Sequence, residues 1–316
     1  MTGSTGFVGQ KLVPFLLRRG HMVIAAYLPG DDAAHLAGSG ATTVPLDLRS
    51  PSSIRGALGT HPDAVVHLAA VASGGVARSD PGLAWEINAA GTARLLDEVT
   101  KASGAGSALP RFLLASSIEV YGAGEPRPRR ETDPVNPSSP YAASKRGAEL
   151  ACLETSSRTG LPIVIARATN HTGVGQDGQY FVPAYVDRIT KAKAAGEGLV
   201  RSGNLEPVRD FLDVADVVQA YVALLERDDL VGIFNVSSGV GRSLAEVVSL
   251  IAELADADVQ VQLDPALERS EDIPHLVGDN SRLVGETGWG PKVEFEETLR
   301  TMIDQATLQA TLPTRE

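Results

Sequence analysis

The sequence predicts an α/β protein built on a doubly wound parallel sheet, with a smaller, mixed α/β C-terminal domain. Three observations predict it. Apolar runs of strand length alternate with longer amphipathic stretches, as in βα units stacked into one sheet. One of those runs, "DAVVHLAA" (63–70), is almost wholly apolar, as a strand buried on both faces should be. Three glycines spaced three apart, Gly3, Gly6 and Gly9, stand directly before an amphipathic stretch, the arrangement of a turn that leads from a buried strand into a helix.

The elements follow in order. In "VGQKLVPFLLRRG" (8–20), Leu12, Phe15 and Leu16 share one helical face and Gly20 ends the helix. "HMVIAAY" (21–27) and "ATTVPLDL" (41–48) read as strands, the second followed by a turn, "RSPSS" (49–53), and 63–70 is the third. A helix over about 82–103 carries Leu95, Leu96 and Val99, and Asn88 falls in its first half. Then come the strand "RFLLASS" (111–117), a helix over about 140–159 and the strand "LPIVIARA" (161–168). After residue 168 the texture changes. "NHTGVGQDGQ" (170–179) is rich in Gly and polar residues, and helices at 182–195, 213–227 and 243–255 alternate with short strands. The expected division is residues 1–168 with about 209–236 for the sheet domain, and about 169–208 with 237–316 for the smaller one. The smaller domain would lie over the C-terminal edge of the sheet, where open α/β sheets bind ligands.

Composition narrows the function. The chain has a formal net charge of −11 and a pI near 5.1, with no block of basic residues that could form a groove or arm. Nucleic acid and anionic membrane are therefore not expected partners. A small anionic ligand is compatible with this balance, because a helix N-terminus and a few local cations suffice to bind it. Cys152 is the only cysteine, so no internal disulfide forms, and its place on a helix suits a small buried apolar residue. Histidines and cysteines show no metal-ligand spacing, so no metal is expected. Without a leader-like N-terminus or an apolar run near 18 residues, the chain reads as soluble and cytoplasmic.

The opening "MTGSTGFVGQ" poses a specific problem. Its glycines let backbone approach a pyrophosphate and open a helix whose N-terminus attracts that anion. The strand that should feed the turn is not in the sequence before Thr2. In a doubly wound sheet that strand is central, and a slot in its place would be roughly 9–10 Å wide, lined by unpaired backbone groups that are costly to bury. The expectation is that the sequence begins late, that Met1 is the last residue of this strand, and that the 316-residue form is poorly soluble or binds cofactor weakly.

"SPYAASK" (139–145) supplies the chemistry. Tyr141 and Lys145 stand four apart at a helix start, so both project from one face, and Pro140 suits the first turn. An ammonium beside a buried phenol is expected to bring its proton exchange closer to neutral pH. That is the property needed for carbonyl reduction or alcohol oxidation. Ser117, at the end of a strand on the functional edge, offers a hydroxyl to hold a substrate oxygen.

These pieces together resemble the extended short-chain dehydrogenase/reductases, the family of nucleotide-sugar epimerases, dehydratases and reductases on a Rossmann fold. The matching segments are "TGSTGFVG" (2–9), "LDL" (46–48), "HLAA" (67–70), "NAAGT" (88–92), "SSIEVYG" (116–122), "SPYAASK" and "RATNHTGVGQ" (167–176), in the family's order along nearly the whole chain. The resemblance implies that Ser117, Tyr141 and Lys145 are the catalytic set. It places a pyrophosphate at Gly3, Thr5, Gly6, Phe7, Val8 and Gly9, and adenine contacts at Asp47 and Leu48. Leu68, Ala69 and Ala70 would line the cofactor channel, Asn88 is the family's structural asparagine beside the cofactor, and Tyr141 and Lys145 also touch the cofactor. Ser117 and Asn170 would face the sugar nucleotide, with Arg209 and Arg269 near its diphosphate. The family also implies a homodimer, in which the helices near 82–103 and 140–159 form a four-helix bundle, with Ala142, Ala143, Ala148 and Ala151 permitting close approach.

The C-terminal half most resembles GDP-4-keto-6-deoxy-mannose reductases and GDP-mannose 4,6-dehydratases, through "RATNHTGVGQ", "SGNLEPVRDF" (202–211) and "ERSEDIPHLVGDNSRL" (268–283). Two departures keep alternatives open. Where an acidic residue would hold the ribose of NAD stands Tyr27, followed by Leu28 and Pro29. Asp31 and Asp32 come later and no Arg is there for a 2′-phosphate, so NAD and NADP both remain. Glu119, two before Tyr121, is where dehydratases place a carboxylate that takes a sugar proton, and it could equally order the pocket. The first reading is NAD(P)H-dependent reduction of the C4 ketone of a nucleotide-activated 4-keto-6-deoxy sugar. A 4,6-dehydratase or 4-epimerase with recycled cofactor is the alternative, and a non-catalytic dinucleotide sensor the remote one.

Overall fold

A computed structural model describes residues 1–59, 61–103, 108–267 and 273–311. The strands are β1 (Ile24–Tyr27), β2 (Thr42–Pro45), β3 (Ala64–His67), β4 (Arg111–Ser117), β5 (Ile163–Ala168) and β6 (Asn170–Thr172), then β7 (Leu199–Ser202), β8 (Val208–Asp213), β9 (Gly232–Val236), β10 (Gly241–Ser243), β11 (Gln260–Leu263) and β12 (His275–Leu276). β3, β4, β5 and β9 form one parallel run, and β1 pairs with β2 in parallel. The first residues join the two. Thr2 bridges His67, Thr2 N–H donates to Val66 O at 2.9 Å and Ala26 N–H to Met1 O at 2.8 Å. Residues 1 and 2 thus sit between β1 and β3, where the sequence reading places the end of the first strand.

Helices cover both faces of this sheet, as a parallel sheet of apolar strands requires. On one face α1 (Phe7–Arg18) packs beside α8 (Val214–Leu225). Leu12, Val13 and Leu16 from α1 meet Leu113, Val164 and Phe234 in one core. On the other, α2 (Pro51–Leu58), α5 (Thr92–Ala102) and α6 (Pro140–Thr159) bury Leu95, Leu96, Val99 and Cys152 against Phe112 and Leu114. β8 is the hub of a second, mixed sheet, pairing with β6, β10 and β12. Around it α7 (Phe181–Ala195), α9 (Leu244–Leu254) and α11 (Phe295–Thr311) share a third core with Val200 and Phe211.

Three local differences from the sequence reading have physical causes. The "RSPSS" segment is already helical from Pro51, because Ser50 accepts from Ser53 N–H at 3.3 Å and Pro51 takes the first turn. The helix read over 82–103 is α4 (Pro81–Ala84), a π-helical turn (Trp85–Gly91) and α5. Within that turn Asn88 reaches to the loop after β3 and Gly91 lies against Leu48, as π-bulges often mark a side chain with a fixed task. Ala142 and Ala148, expected at a dimer contact, are each 1% exposed and packed inward. They share the Lys145 side of α6, so the outer face is carried instead by Leu150 and Leu153, with Trp85 beside it. The sequence reading omits helices α3 (Gly74–Ser79) and α10 (Ser281–Thr287), which are short, and the C-terminal α11, whose Phe295, Leu299, Met302 and Ile303 recur at helical spacing and face the third core.

Candidate active site

The carboxyl ends of β1, β3, β4 and β5 open into a cavity of about 1340 Å³ roofed by the second sheet and α7. Its floor is the glycine turn. Gly3 has φ +67°, and a Cβ there would lie 2.7 Å from Ala69 N. A Cβ at Gly9 would lie 2.3 Å from Gly3 O. Only glycine lets the turn fold this tightly against β3 and against its own helix. Gly6 caps α1 without a side-chain hydrogen bond, so the first N–H groups of a 12-residue helix face the cavity at its positive end. Backbone bare of side chains at a helix N-terminus fits a pyrophosphate. Thr5, Phe7 and Val8 line the same wall.

Around the turn, Thr2 Oγ1 bonds His67 Nδ1 at 2.7 Å and accepts from Ala69 N–H at 3.1 Å, tying the turn to the end of β3. Leu68, Ala69 and Ala70 continue as cavity wall. His67 is buried and its pKa is pushed down to about 3 by burial and by the Lys145 charge, so it is neutral. Asp47 and Leu48 line the cavity after β2. Arg49 grips the Asp47 carboxylate with two nitrogens, at 3.0 and 2.8 Å, and holds it below the usual carboxylate range. Tyr27, Leu28 and Asp31 also line this end. Asp31, late in sequence for a ribose contact, is brought to the turn, where Thr5 Oγ1 donates to it at 2.6 Å.

Ser117, Glu119, Tyr141 and Lys145 converge in the middle of the cavity. Ser139 caps α6 by accepting from Ala142 N–H at 3.1 Å, with Pro140 next. This fixes the first turn and points Tyr141 and Lys145 to one side. β4 ends at Ser117, whose hydroxyl accepts from Glu119 N–H at 3.2 Å in a 3₁₀ turn (Ile118–Tyr121), and Ser117 lines the cavity together with Tyr141. Burial pushes the phenol up and the Glu119 carboxylate adds to that, while the Ser117 side chain acts the other way. Lys145 is 5% exposed; burial lowers it to about 8 and Glu149 opposes that. The ammonium donates to Ala115 O. The expected easing of phenol ionisation is therefore reversed: the ammonium is engaged by a carbonyl, and the charge acting on the phenol is negative.

The remaining candidates divide. Asn170 and Arg209 line the cavity from the roof side, and Arg209 donates to Val208 O and Ile273 O. Arg269 lies outside the described residues. Asn88 is buried and is not part of the wall. Its side chain accepts from Val71 N–H at 2.7 Å and donates to Val71 O and Ser144 Oγ, so it clamps the loop after β3 to α6. The sequence reading did not single out Arg78 and Arg188, which also line the cavity; isolated surface-type arginines carry no local signal. Among the described residues no cluster of His, Cys, Asp or Glu could hold a metal ion, and no helix is long and apolar enough to cross a membrane.

The chain is similar to known proteins along nearly its whole length. The model of a family described as the NAD dependent epimerase/dehydratase family matches residues 1–237. The GDP-6-deoxy-D-mannose reductase of Pseudomonas aeruginosa is 33% identical over 311 residues, spanning 96% of this chain and 95% of that protein. Among solved structures, RMD from Pseudomonas aeruginosa complexed with NADPH aligns with a TM-score of 0.81 at 29% identity, covering 97% of each chain. UDP-glucose 4-epimerase from Thermus thermophilus in complex with NAD aligns with a TM-score of 0.86 at 31% identity, covering 98% of each.

Proposed function

Since the chain belongs to the NAD dependent epimerase/dehydratase family, we propose that it is an NAD(P)H-dependent reductase of a nucleotide-activated 4-keto-6-deoxy sugar, of the GDP-4-keto-6-deoxy-mannose type. A reduced NAD(P) bound along the cavity supplies the hydride that adds to the C4 carbon. Tyr141 Oη gives its proton to the oxygen that was the ketone, and the phenolate regains one from water. Ser117 hydrogen-bonds that oxygen and orients it toward the phenol. Lys145 holds the cofactor ribose and keeps a positive charge beside the reacting groups. The turn at Gly3, Gly6 and Gly9 holds the pyrophosphate, Asp47 and Leu48 the adenine, and Asn170, Arg209 and Arg269 the sugar nucleotide.

One observation favours reduction: the likeness to the GDP-6-deoxy-D-mannose reductase of Pseudomonas aeruginosa extends over 96% of this chain. Burial and the Glu119 carboxylate raise the Tyr141 phenol, in keeping with a group that starts the reaction protonated and donates to the new alkoxide. Glu119 itself favours the second reading, a 4,6-dehydratase with recycled cofactor, because a carboxylate on the wall beside Tyr141 could take a sugar proton.

The division of labour we infer has residues 1–168 with about 209–236 holding the dinucleotide, and about 169–208 with 237–316 holding the sugar nucleotide. We also infer a homodimer through the outer face of α6. The deciding experiment generates GDP-4-keto-6-deoxy-mannose in place from GDP-mannose with a GDP-mannose dehydratase and follows NADH or NADPH absorbance. A reductase consumes reduced cofactor in proportion to ketone. Conversion of GDP-mannose or a UDP-sugar without net cofactor loss would overturn the reductase reading in favour of the second.

A further inference from the structure

Behind Lys145 on α6 lies a buried acid that none of the roles above uses. Glu149 is fully buried, one turn beyond Lys145 on the same face. Its carboxylate accepts from Ser116 Oγ at 2.6 Å, from two nitrogens of Arg167 at 2.9 and 2.8 Å, and from Arg146 at 2.9 Å. Arg167, on β5, is itself fully buried and stacks over the Tyr121 ring at 4.7 Å. Ser116 stands between Ala115, whose carbonyl receives the Lys145 ammonium, and Ser117, which lines the cavity with Tyr141. One carboxylate therefore fixes the end of β4, the neighbouring strand β5 and the helix that carries both reacting groups.

We propose that Glu149 is the positioning residue of this site: through Ser116 it sets β4 against α6, and it supplies the anion that balances the buried Lys145 ammonium. The proposal rests on the reading of Ser117, Tyr141 and Lys145 as the reacting set. The groups acting on Lys145 are Glu149 and Cys152 on its own helix and His67 from β3; those facing Glu149 are Arg146, Arg167 and Ser116. Of these, Glu149 is the influence keeping Lys145 protonated against burial, since burial pushes the Cys152 thiol up and leaves it neutral. His67 is neutral, and Arg167 faces the carboxylate rather than the ammonium. Removing the anion should shift the ammonium's deprotonation to lower pH.

The test is binding of NADPH and of NADH, followed by nicotinamide fluorescence from about pH 6 to 10. In the wild type, binding weakens as Lys145 loses its proton, and Lys145→Met removes that dependence. In Glu149→Gln the weakening moves down by about one pH unit, making binding near pH 8 about fivefold weaker. Because that variant leaves Arg167 buried without its partner, Glu149→Gln/Arg167→Gln is measured beside it; there a cation leaves with the anion, and the dependence should move down by less than in Glu149→Gln alone. Ser116→Ala weakens binding at every pH without moving the dependence, and Ser116→Thr restores it. A folded Glu149 variant whose pH dependence is unmoved, or a Ser116→Ala with wild-type affinity, overturns the proposal, as does a wild type in which Lys145→Met changes nothing. If instead the protein consumes no reduced cofactor with any keto sugar while these shifts appear, the proposed reaction is wrong and the positioning role stands.

Discussion

Tyr141 and Lys145 stand one helical turn apart, yet burial moves them in opposite directions, the phenol up and the ammonium down to about 8. Each shift disfavours the charged form. Across the neutral range the phenol stays protonated and the ammonium is the group that titrates. The efficiency of reduction should hold level around pH 7 and fall as pH rises through about 8, where Lys145 loses its charge. A kcat/KM profile that stays flat to well above that value would contradict this. Tyr141→Phe removes the proton donor and little else, since the ring stays in place. Turnover should drop by about 10²–10⁴-fold, with dinucleotide affinity and thermal stability close to wild type. Near-normal turnover in steady-state assays would dismiss the assignment. The spacing of the two residues was legible in the sequence. The sign of the phenol's shift was not, because it depends on Glu119 arriving from the end of a different element and on where the ammonium's hydrogen bonds go.

Elements whose ends carry local signals match their sequence readings closely. α6 begins at Pro140 behind the Ser139 cap and ends before Gly160 in the left-handed region, and β4 runs from Arg111 to Ser117 as read. The face a helix buries is set by its neighbours as well as by its own pattern. On α6, Ala142, Lys145, Ala148, Glu149 and Cys152 point inward, so polar and small residues occupy the core side and the helix carries no clear apolar stripe. Leu150 is 52% and Leu153 39% exposed on the outer side, with Trp85 48% exposed and its ring against Gly147. Large apolar side chains grouped on one exposed face suit a partner helix. Leu150→Glu should therefore turn a dimer into a monomer in sedimentation, with the melting of the isolated subunit little changed because the residue is exposed. A wild type that sediments as a monomer would remove the dimer.

At the scale of the whole molecule, the cavity exists because the second sheet is held over the first. Asp210, fully buried on β8, is a central tie. Its carboxylate accepts from Ser238 N–H at 3.0 Å and Gly239 N–H at 3.0 Å, beyond the end of β9, from Gly278 N–H at 3.3 Å after β12, and from Ser238 Oγ at 2.6 Å. Arg209, its neighbour in sequence, lines the cavity. Asp210→Ala would leave several buried donors unpaired, at about 1–3 kcal/mol each. The expected loss is about 3–5 kcal/mol out of the roughly 5–15 kcal/mol that holds a domain folded, measured by urea unfolding. Asp210→Asn should also lose stability, because its one amide oxygen serves either Ser238 or the Gly239 and Gly278 N–H groups, and its NH2 meets the donors on the other side. A loss below about 1 kcal/mol for the alanine variant would show that the tie is dispensable.

The sequence by itself determined the parallel sheet, the glycine turn, the helix that sets Tyr141 and Lys145 on one side, and Ser117 at a strand end. Each is written in short-range terms: strand runs, caps, glycine positions and four-residue spacings act within a turn or two of chain. Tertiary structure alone decided what those residues meet. Asp31 reaches Thr5 across 26 residues, Glu149 joins Arg167 and Ser116 from three separate elements, and Asn88 spends its side chain on a loop and a helix rather than on the cavity. Such pairings depend on which elements pack side by side in the folded chain. Burial, which sets the direction of both shifts at the reacting pair, is likewise a property of the assembled layers and of no single segment.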